Sequence, residues 1–199
     1  MSNRILVLAS SSPYRKRLLE QLRLPHRQIS PEVDETRWDN EAPRDLALRL
    51  GRSKAEAVAS QLDGEDNWLV LGSDQVCHLE DRVFGKPGDY ETALANLNRF
   101  SDRWVTFSTS LVALSSSGTC LACIEDFEVR FRSLSTYEIN AYLVADEPYD
   151  CAGAIKVESL GISLLTDSRG RDINSLYGLP LMALCDMLEE LGLTPNDFK

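Results

Sequence analysis

Positive charge is scarce in this chain: 21 lysines and arginines stand against 31 aspartates and glutamates, a formal net charge of −10 over 199 residues. Nucleic-acid polymers and anionic lipid surfaces both reward an excess of Lys and Arg, so this balance excludes non-specific binding to either. It leaves room for an anionic small molecule, because a cleft can be locally positive on an acidic protein. Long apolar runs are lacking too. No stretch approaches the ~20 residues of a membrane span, and the apolar part of the N-terminal MSNRILVLASSS is too short for a secretory leader. Cysteines are few and odd in number, at 77, 120, 123, 151 and 185, which argues against a disulfide framework. Cys120 and Cys123 form a CxxC, but in a stretch patterned as a strand, where residues three apart face opposite sides of a sheet. No second pair completes a zinc site, and these thiols read as structural. Glycine and proline are at ordinary levels, so neither a fibrous nor a disordered chain is indicated. What is present, at 43% hydrophobic residues, suffices for one core, and a single soluble, cytoplasmic domain over 1–199 is expected.

Periodicity divides the chain into alternating helices and strands. Ile5 to Ala9 is a short continuous apolar run, the pattern of a buried strand. Ser12 then Pro13 signals a helix start, N-cap followed by N1, with Leu18, Leu19 and Leu22 on one face. A second helix is predicted from about Pro43 to Gln61. Trp68 to Cys77 reads as one buried strand, Tyr90 to Phe100 as a helix, and Trp104–Leu114 with Cys120–Phe131 as a hairpin across Ser115–Gly118. Ser135 and Glu138 make a capping box. A loop around Ala152–Gly161, a short strand Ile162–Leu165 and a last helix from Pro180 to Leu191 complete the chain. This interleaving predicts an α/β domain with a mixed sheet.

Some charges fall where the pattern asks for apolar groups. Lys54 continues the series Leu46, Leu50, Lys54, Val58 along the apolar face of its helix. It either snorkels its ammonium to solvent or directs a cation into a cleft to meet phosphate. Asp74 interrupts an apolar strand. A buried carboxylate needs a metal, a cation or a protonation role, unless it only caps a strand end. The hydroxyls of Ser10 and Ser12 at a helix start offer an anion site, and Arg15 in the first turn opposes the helix dipole unless an anion is nearby. The acidic run Glu32-Val33-Asp34-Glu35 is either a solvated turn or a source of metal oxygens. Lys86, in Gly85-Lys86-Pro87, is another candidate phosphate contact. His26 and His78 show no metal-ligand spacing and read as surface residues.

Taken in order, Leu8-Ala9-Ser10-Ser11-Ser12-Pro13-Tyr14-Arg15, Glu32-Val33-Asp34-Glu35, Lys54, Gly72-Ser73-Asp74-Gln75-Val76, Gly85-Lys86-Pro87 and Gly178-Leu179-Pro180 resemble the Maf nucleotide pyrophosphatases over nearly the whole chain. Ser73-Asp74-Gln75 and Cys151-Ala152-Gly153 with Lys156-Val157-Glu158 resemble the YceF-like branch, which hydrolyses 7-methyl-GTP. Tyr14 stands where that branch commonly has Trp, and Ser159 where it has Gly. The resemblance implies a mixed sheet bent around a deep cleft with flanking helices, as in inosine triphosphatases, and often a homodimer. It implies a divalent metal (Mg²⁺, Mn²⁺ or Co²⁺) held by Glu35 and Asp74, with Asp74 as base or ligand. Ser10, Ser12, Arg15, Lys54 and Lys86 would meet the phosphates. Tyr14, Gln75 and Glu158 would select the base: an aromatic face attracts a cationic ring, and a carboxylate accepts from guanine N–H groups. Two alternatives are the same chemistry on dTTP or UTP, and a nucleotide-sensing regulator of cell division that does not cleave.

Overall fold

A computed structural model describes residues 4–62 and 64–198, so positions 1–3, 63 and 199 of the expected 1–199 domain lie outside the described residues. Strand β1 (Ile5–Ala9) pairs in parallel with β2 (Arg27–Ile29) on one side and β3 (Trp68–Gly72) on the other. Helix α1 (Pro13–Gln21) follows β1, and α2 (Pro43–Ala59) precedes β3. Both faces of this parallel part are covered, which is why its strands read as unbroken apolar runs. Leu6, Leu8, Leu69 and Leu71 belong to one core with Leu18 and Leu19 of α1 and Leu184 and Leu188 of the helix α6 (Leu181–Glu190). Val7, Ala9 and Val70 face the other way, onto Ala55 and Val58 of α2.

The rest of the sheet is antiparallel. β6 (Trp104–Ser115) is the long strand that joins the two parts: its C-terminal half pairs with β3 and its N-terminal half with β4 (Gln75–Leu79). Beyond β4 lies β5 (Arg82–Phe84), and along the opposite edge of β6 runs β7 (Cys120–Phe131), followed by β8 (Leu165–Arg169). A second core fills this part, with Phe84, Phe100, Phe107, Phe127 and Phe131 packed against α3 (Tyr90–Phe100) and α4 (Thr136–Asp146). The Ser135–Glu138 capping box opens α4 as expected. A short helix α5 (Ile173–Leu176) precedes α6, and the buried carboxylate of Asp172 caps both: Oδ1 accepts from Asn174 N at 2.9 Å and Oδ2 from Met182 N at 2.8 Å. The mixed α/β sheet is the one expected.

Three expectations need correction. The strand predicted over Trp68–Cys77 is two strands, interrupted at Ser73-Asp74, although the register against β6 is the same on both sides of the break. The strand predicted at Ile162–Leu165 is a 3₁₀ turn over Leu160–Leu164, and the strand begins at Leu165 instead. β8 is an edge strand with exposed Thr, Asp, Ser and Arg, so the apolar run before it was the stronger but misleading signal. His26 and His78 are half-buried rather than on the surface; His78 Nδ1 lies 2.7 Å from the Glu80 carbonyl and Nε2 2.9 Å from Ser108 Oγ. All five cysteines are free, and among the described residues no helix is long and apolar enough to cross a membrane.

Candidate active site

The interruption between β3 and β4 is what presents Asp74. In a regular antiparallel pair its N–H would bond the main chain of Ser110. Here Ser110 N donates to the Asp74 carbonyl at 2.9 Å, but Asp74 N donates to the Ser110 side-chain Oγ at 3.0 Å. The Ser110 hydroxyl in turn donates to the Ala47 carbonyl of α2 at 2.7 Å. One buried hydroxyl thus opens the strand and ties it to the helix that carries Lys54.

That helix lies unusually close. A Cβ on Gly72 would fall 2.1 Å from the Gly51 carbonyl, and one on Gly51 would fall 2.3 Å from Ser110 Oγ. The contact requires glycine at both positions. One turn beyond Gly51, Lys54 is 7% exposed, and its Nζ lies 2.5 Å from Asp74 Oδ1 and 2.7 Å from Glu35 Oε1. The lysine therefore does not snorkel out. Burial pushes the Asp74 carboxyl above its ordinary range, against the pull of Lys54 and Arg15. Glu35 is held below its ordinary range: partial burial works against this, but the hydrogen bond and charge of Lys54, with Lys86 and Arg15, outweigh it. Glu35 belongs to the loop between β2 and α2. Arg49 fastens that loop, reaching Glu41 from Nε at 2.5 Å and the Thr36 carbonyl, next to Glu35, from Nη2 at 3.0 Å.

The Ser10–Arg15 turn closes the other side. Ser12 caps α1, and Ser10 Oγ accepts from Ser12 N at 3.1 Å and Arg15 Nη1 at 3.2 Å. Arg15 Nε donates to the Gly178 carbonyl at 2.7 Å, and Ser73 Oγ donates to the same oxygen at 2.9 Å. The oxygens of Ser10 and Ser12 accept the bonds that hold the turn, which leaves the O–H groups of these two serines to offer an anion. Gly178, at φ +102°, binds the late Gly-Leu-Pro segment to both the Ser10 turn and the Asp74 break. Gln75 is fixed as well: its Nε2 donates to the carbonyls of Ser175 at 2.8 Å and Leu176 at 3.0 Å. Carbonyls only accept, so these bonds set the amide orientation and direct Oε1 away from them.

Ser10, Ser12, Tyr14, Arg15, Glu35, Lys54, Asp74, Gln75, Lys86 and Glu158 line one cleft of about 710 Å³, within the range of small-molecule sites, whereas Glu32 and Asp34 of the acidic run are not part of its lining. Ser10, Arg15, Lys54 and Asp74 lie on the side of the strand break; Tyr14, Cys151 and Glu158 are mutual neighbours, and Lys86 is exposed in its loop. Burial, with the nearby Cys151 and Glu158, pushes the Tyr14 phenol up to about 12, so it stays a neutral donor near pH 7. Periodicity did not reveal Ser110, Gly178, Arg49 or Asp172. The run Ser108-Thr109-Ser110, fully buried inside an apolar strand, was the available signal.

Several groups in and under the cleft keep their protons more tightly when folded. Burial pushes Cys151 up to about 12 from 9.0 and raises Cys77 and Tyr142 as well, beside Tyr14. A raised folded value gives stability that is complete below the unfolded value and lost as pH rises through the folded one. The urea midpoint is expected to fall steadily between about pH 9 and 11, and Cys77→Ala to flatten that fall. A midpoint constant over that window contradicts the assignment.

The chain matches the Maf-like protein family over residues 5–191. It is 48% identical over 190 residues to the 7-methyl-GTP pyrophosphatase of Pseudomonas syringae pv. tomato, covering 95% of this chain and 97% of that protein. Against the protein of the same name from Bordetella pertussis it is 48% identical over 190 residues, covering 96% and 94%; against that of Chromohalobacter salexigens, 44% over 191 residues, covering 96% and 97%. Among solved structures, a HAM1 protein from Coxiella burnetii aligns over 81% of this chain and 98% of its own at 17% identity, with a TM-score of 0.44. A match from the first strand to the last helix, with relatives aligned end to end, leaves one conclusion: this chain belongs to the Maf family.

Proposed function

We propose that this protein hydrolyses 7-methyl-GTP to 7-methyl-GMP and pyrophosphate with the help of a divalent cation. The observation that carries the reading is the convergence of Asp74 and Glu35 on one point in a cleft that also holds Arg15 and Lys86, in a chain whose close relatives bear that activity in their names. The donor set fits a hard cation. Two carboxylates approach a common position, and among the described residues no group of three or more His, Cys, Asp or Glu side chains could hold a metal alone. Phosphate oxygens and water would complete the set, as is usual for Mg²⁺. When bound, the cation would neutralise triphosphate charge and make a nearby water more acidic.

The chain's own groups supply the rest. Lys54, Arg15 and Lys86 offset charge on the phosphates, and the O–H groups of Ser10 and Ser12 orient them. Asp74 Oδ2 receives no hydrogen bond from the described residues and takes the proton from water attacking the α-phosphorus; the bond from that phosphorus to the bridging oxygen breaks, and pyrophosphate leaves. Tyr14 offers an aromatic face to the cationic 7-methylguanine, and Glu158 accepts from its N–H groups.

The test is pyrophosphate release from a panel of 7-methyl-GTP, GTP, dTTP and UTP with Mg²⁺, Mn²⁺, Co²⁺ or chelator. 7-methyl-GTP is expected to give the highest kcat/KM, with activity lost in chelator. Glu158→Gln is expected to lower kcat/KM for 7-methyl-GTP by roughly 10–100-fold, on the scale of a charged hydrogen bond, while changing dTTP turnover little. Faster turnover of dTTP or UTP than of 7-methyl-GTP would overturn the substrate assignment.

A further inference from the structure

The position on which Asp74 and Glu35 converge holds a cation of the protein's own. Lys54 Nζ is within hydrogen-bond distance of one oxygen from each, at 2.5 and 2.7 Å. The side chains of Lys54 and Asp74 are only 9% and 12% exposed, whereas that of Glu35 is 61% exposed. Two carboxylates brought together from separate elements repel one another unless a positive charge lies between them, and the ammonium supplies it. It also has somewhere to go. Lysine carries its charge on a flexible four-carbon stem, and while its backbone is held by the Gly51–Gly72 contact, its Nζ can turn within the cleft.

We propose that Lys54 is a built-in placeholder for the divalent cation: its ammonium satisfies Asp74 and Glu35 while the site is empty, and an arriving triphosphate draws it off so that the metal can take its place. The inference rests on the metal-dependent reading above and adds an order to it. Metal alone has to displace a buried ammonium. Nucleotide alone has to draw that ammonium from two carboxylates, leaving their negative charge facing its phosphates. Each therefore binds poorly without the other, and by linkage each strengthens the other by the same factor. A site organised this way would not fill with metal when no substrate is present.

Mn²⁺ binding, followed by electron paramagnetic resonance of the free ion, tests this without any turnover. In the absence of nucleotide, Lys54→Met is expected to bind Mn²⁺ at least about ten-fold tighter than the wild type. Lys86→Met removes one positive charge from the same cleft without freeing the carboxylates, and is expected to change the affinity less than about three-fold. A non-hydrolysable 7-methyl-GTP analogue with a methylene α,β-bridge should tighten Mn²⁺ binding about ten-fold or more in the wild type and much less in Lys54→Met. Without metal the variant should melt below the wild type, because Asp74 loses its partner, and Mn²⁺ should restore it. In the wild type, the ¹⁵N signal of the Lys54 ammonium should shift on adding Mg²⁺ and analogue together and hardly at all with Mg²⁺ alone, a measurement independent of whether the variant folds. If Lys54→Met binds Mn²⁺ no tighter than the wild type, if Lys86→Met gains as much, or if the ammonium signal ignores the pair of ligands, the placeholder role is wrong. If no form of the protein binds Mn²⁺ even with the analogue, the metal reading of the site itself is what fails.

Discussion

Asp74→Asn is expected to lower kcat on 7-methyl-GTP by roughly 10²–10⁴-fold, the usual contribution of a positioned acid–base group. The amide keeps the size of the carboxyl and can still accept from Lys54 through its oxygen, so the strand break and its Ser110 bond remain. It cannot take up a proton at neutral pH, and it is a poor ligand for a divalent cation. Burial has a further consequence. Asp74 is 9% exposed and shares Lys54 with Glu35, so removing its charge leaves the ammonium with one solvent-exposed partner. Some stability should go with the activity, on the order of 1–3 kcal/mol. Single-turnover release of pyrophosphate, measured beside a thermal melt, separates the two effects. A variant that melts lower but turns over within about three-fold of the wild type would mean that Asp74 has a structural role only.

Gly72→Ala should have the largest effect on the fold. The added Cβ would lie 2.1 Å from the Gly51 carbonyl, 2.8 Å from Ala55 Cβ and 2.9 Å from Ala55 N. These are backbone atoms and a short, stiff side chain, so helix α2 has to move as a body. Overpacking of this kind costs about 3 kcal/mol or more, which for a chain of this length corresponds to roughly 6–12 °C in Tm. Activity should fall further than stability, because Lys54 rides on the same turn and its Nζ would be carried away from Asp74. Gly85→Ala is the control for melting, since a Cβ there meets nothing within 4 Å. Equal melting temperatures for the two variants would show that α2 does not depend on the close contact with β3.

Much of the scaffold was legible because its causes are local. Ser12 and Pro13 start α1 where a cap and a preset φ allow it, Ser135 and Glu138 open α4, and Tyr90–Phe100 follows its 3.6-residue stripe to the residue. Lys54 and Asp74 stood out by the same logic, as charges on faces that periodicity assigns to the core. Local pattern misled where a neighbour decided. The break at Ser73-Asp74 is held by a hydroxyl 36 residues away on β6; the polar pair marked the place in the sequence but not that the strand divides there. The 3₁₀ turn at Leu160–Leu164 carries an apolar run with Ile162 57% exposed, while the strand that pairs with β7 is the polar segment after it.

The sequence by itself therefore determined most of the helices and long strands, the faces they bury, and which charged residues break the pattern, since helix and strand periods and capping act over a few neighbouring residues. The tertiary structure decided that Lys54, Asp74 and Glu35 meet at one point. That meeting depends on two glycines letting α2 onto β3, on Ser110 opening a strand, on Gly178 tying two loops and on Arg49 fastening a third. These are contacts between different elements of the fold rather than between neighbours along one helix or strand, and for that reason none leaves a periodic trace in the sequence.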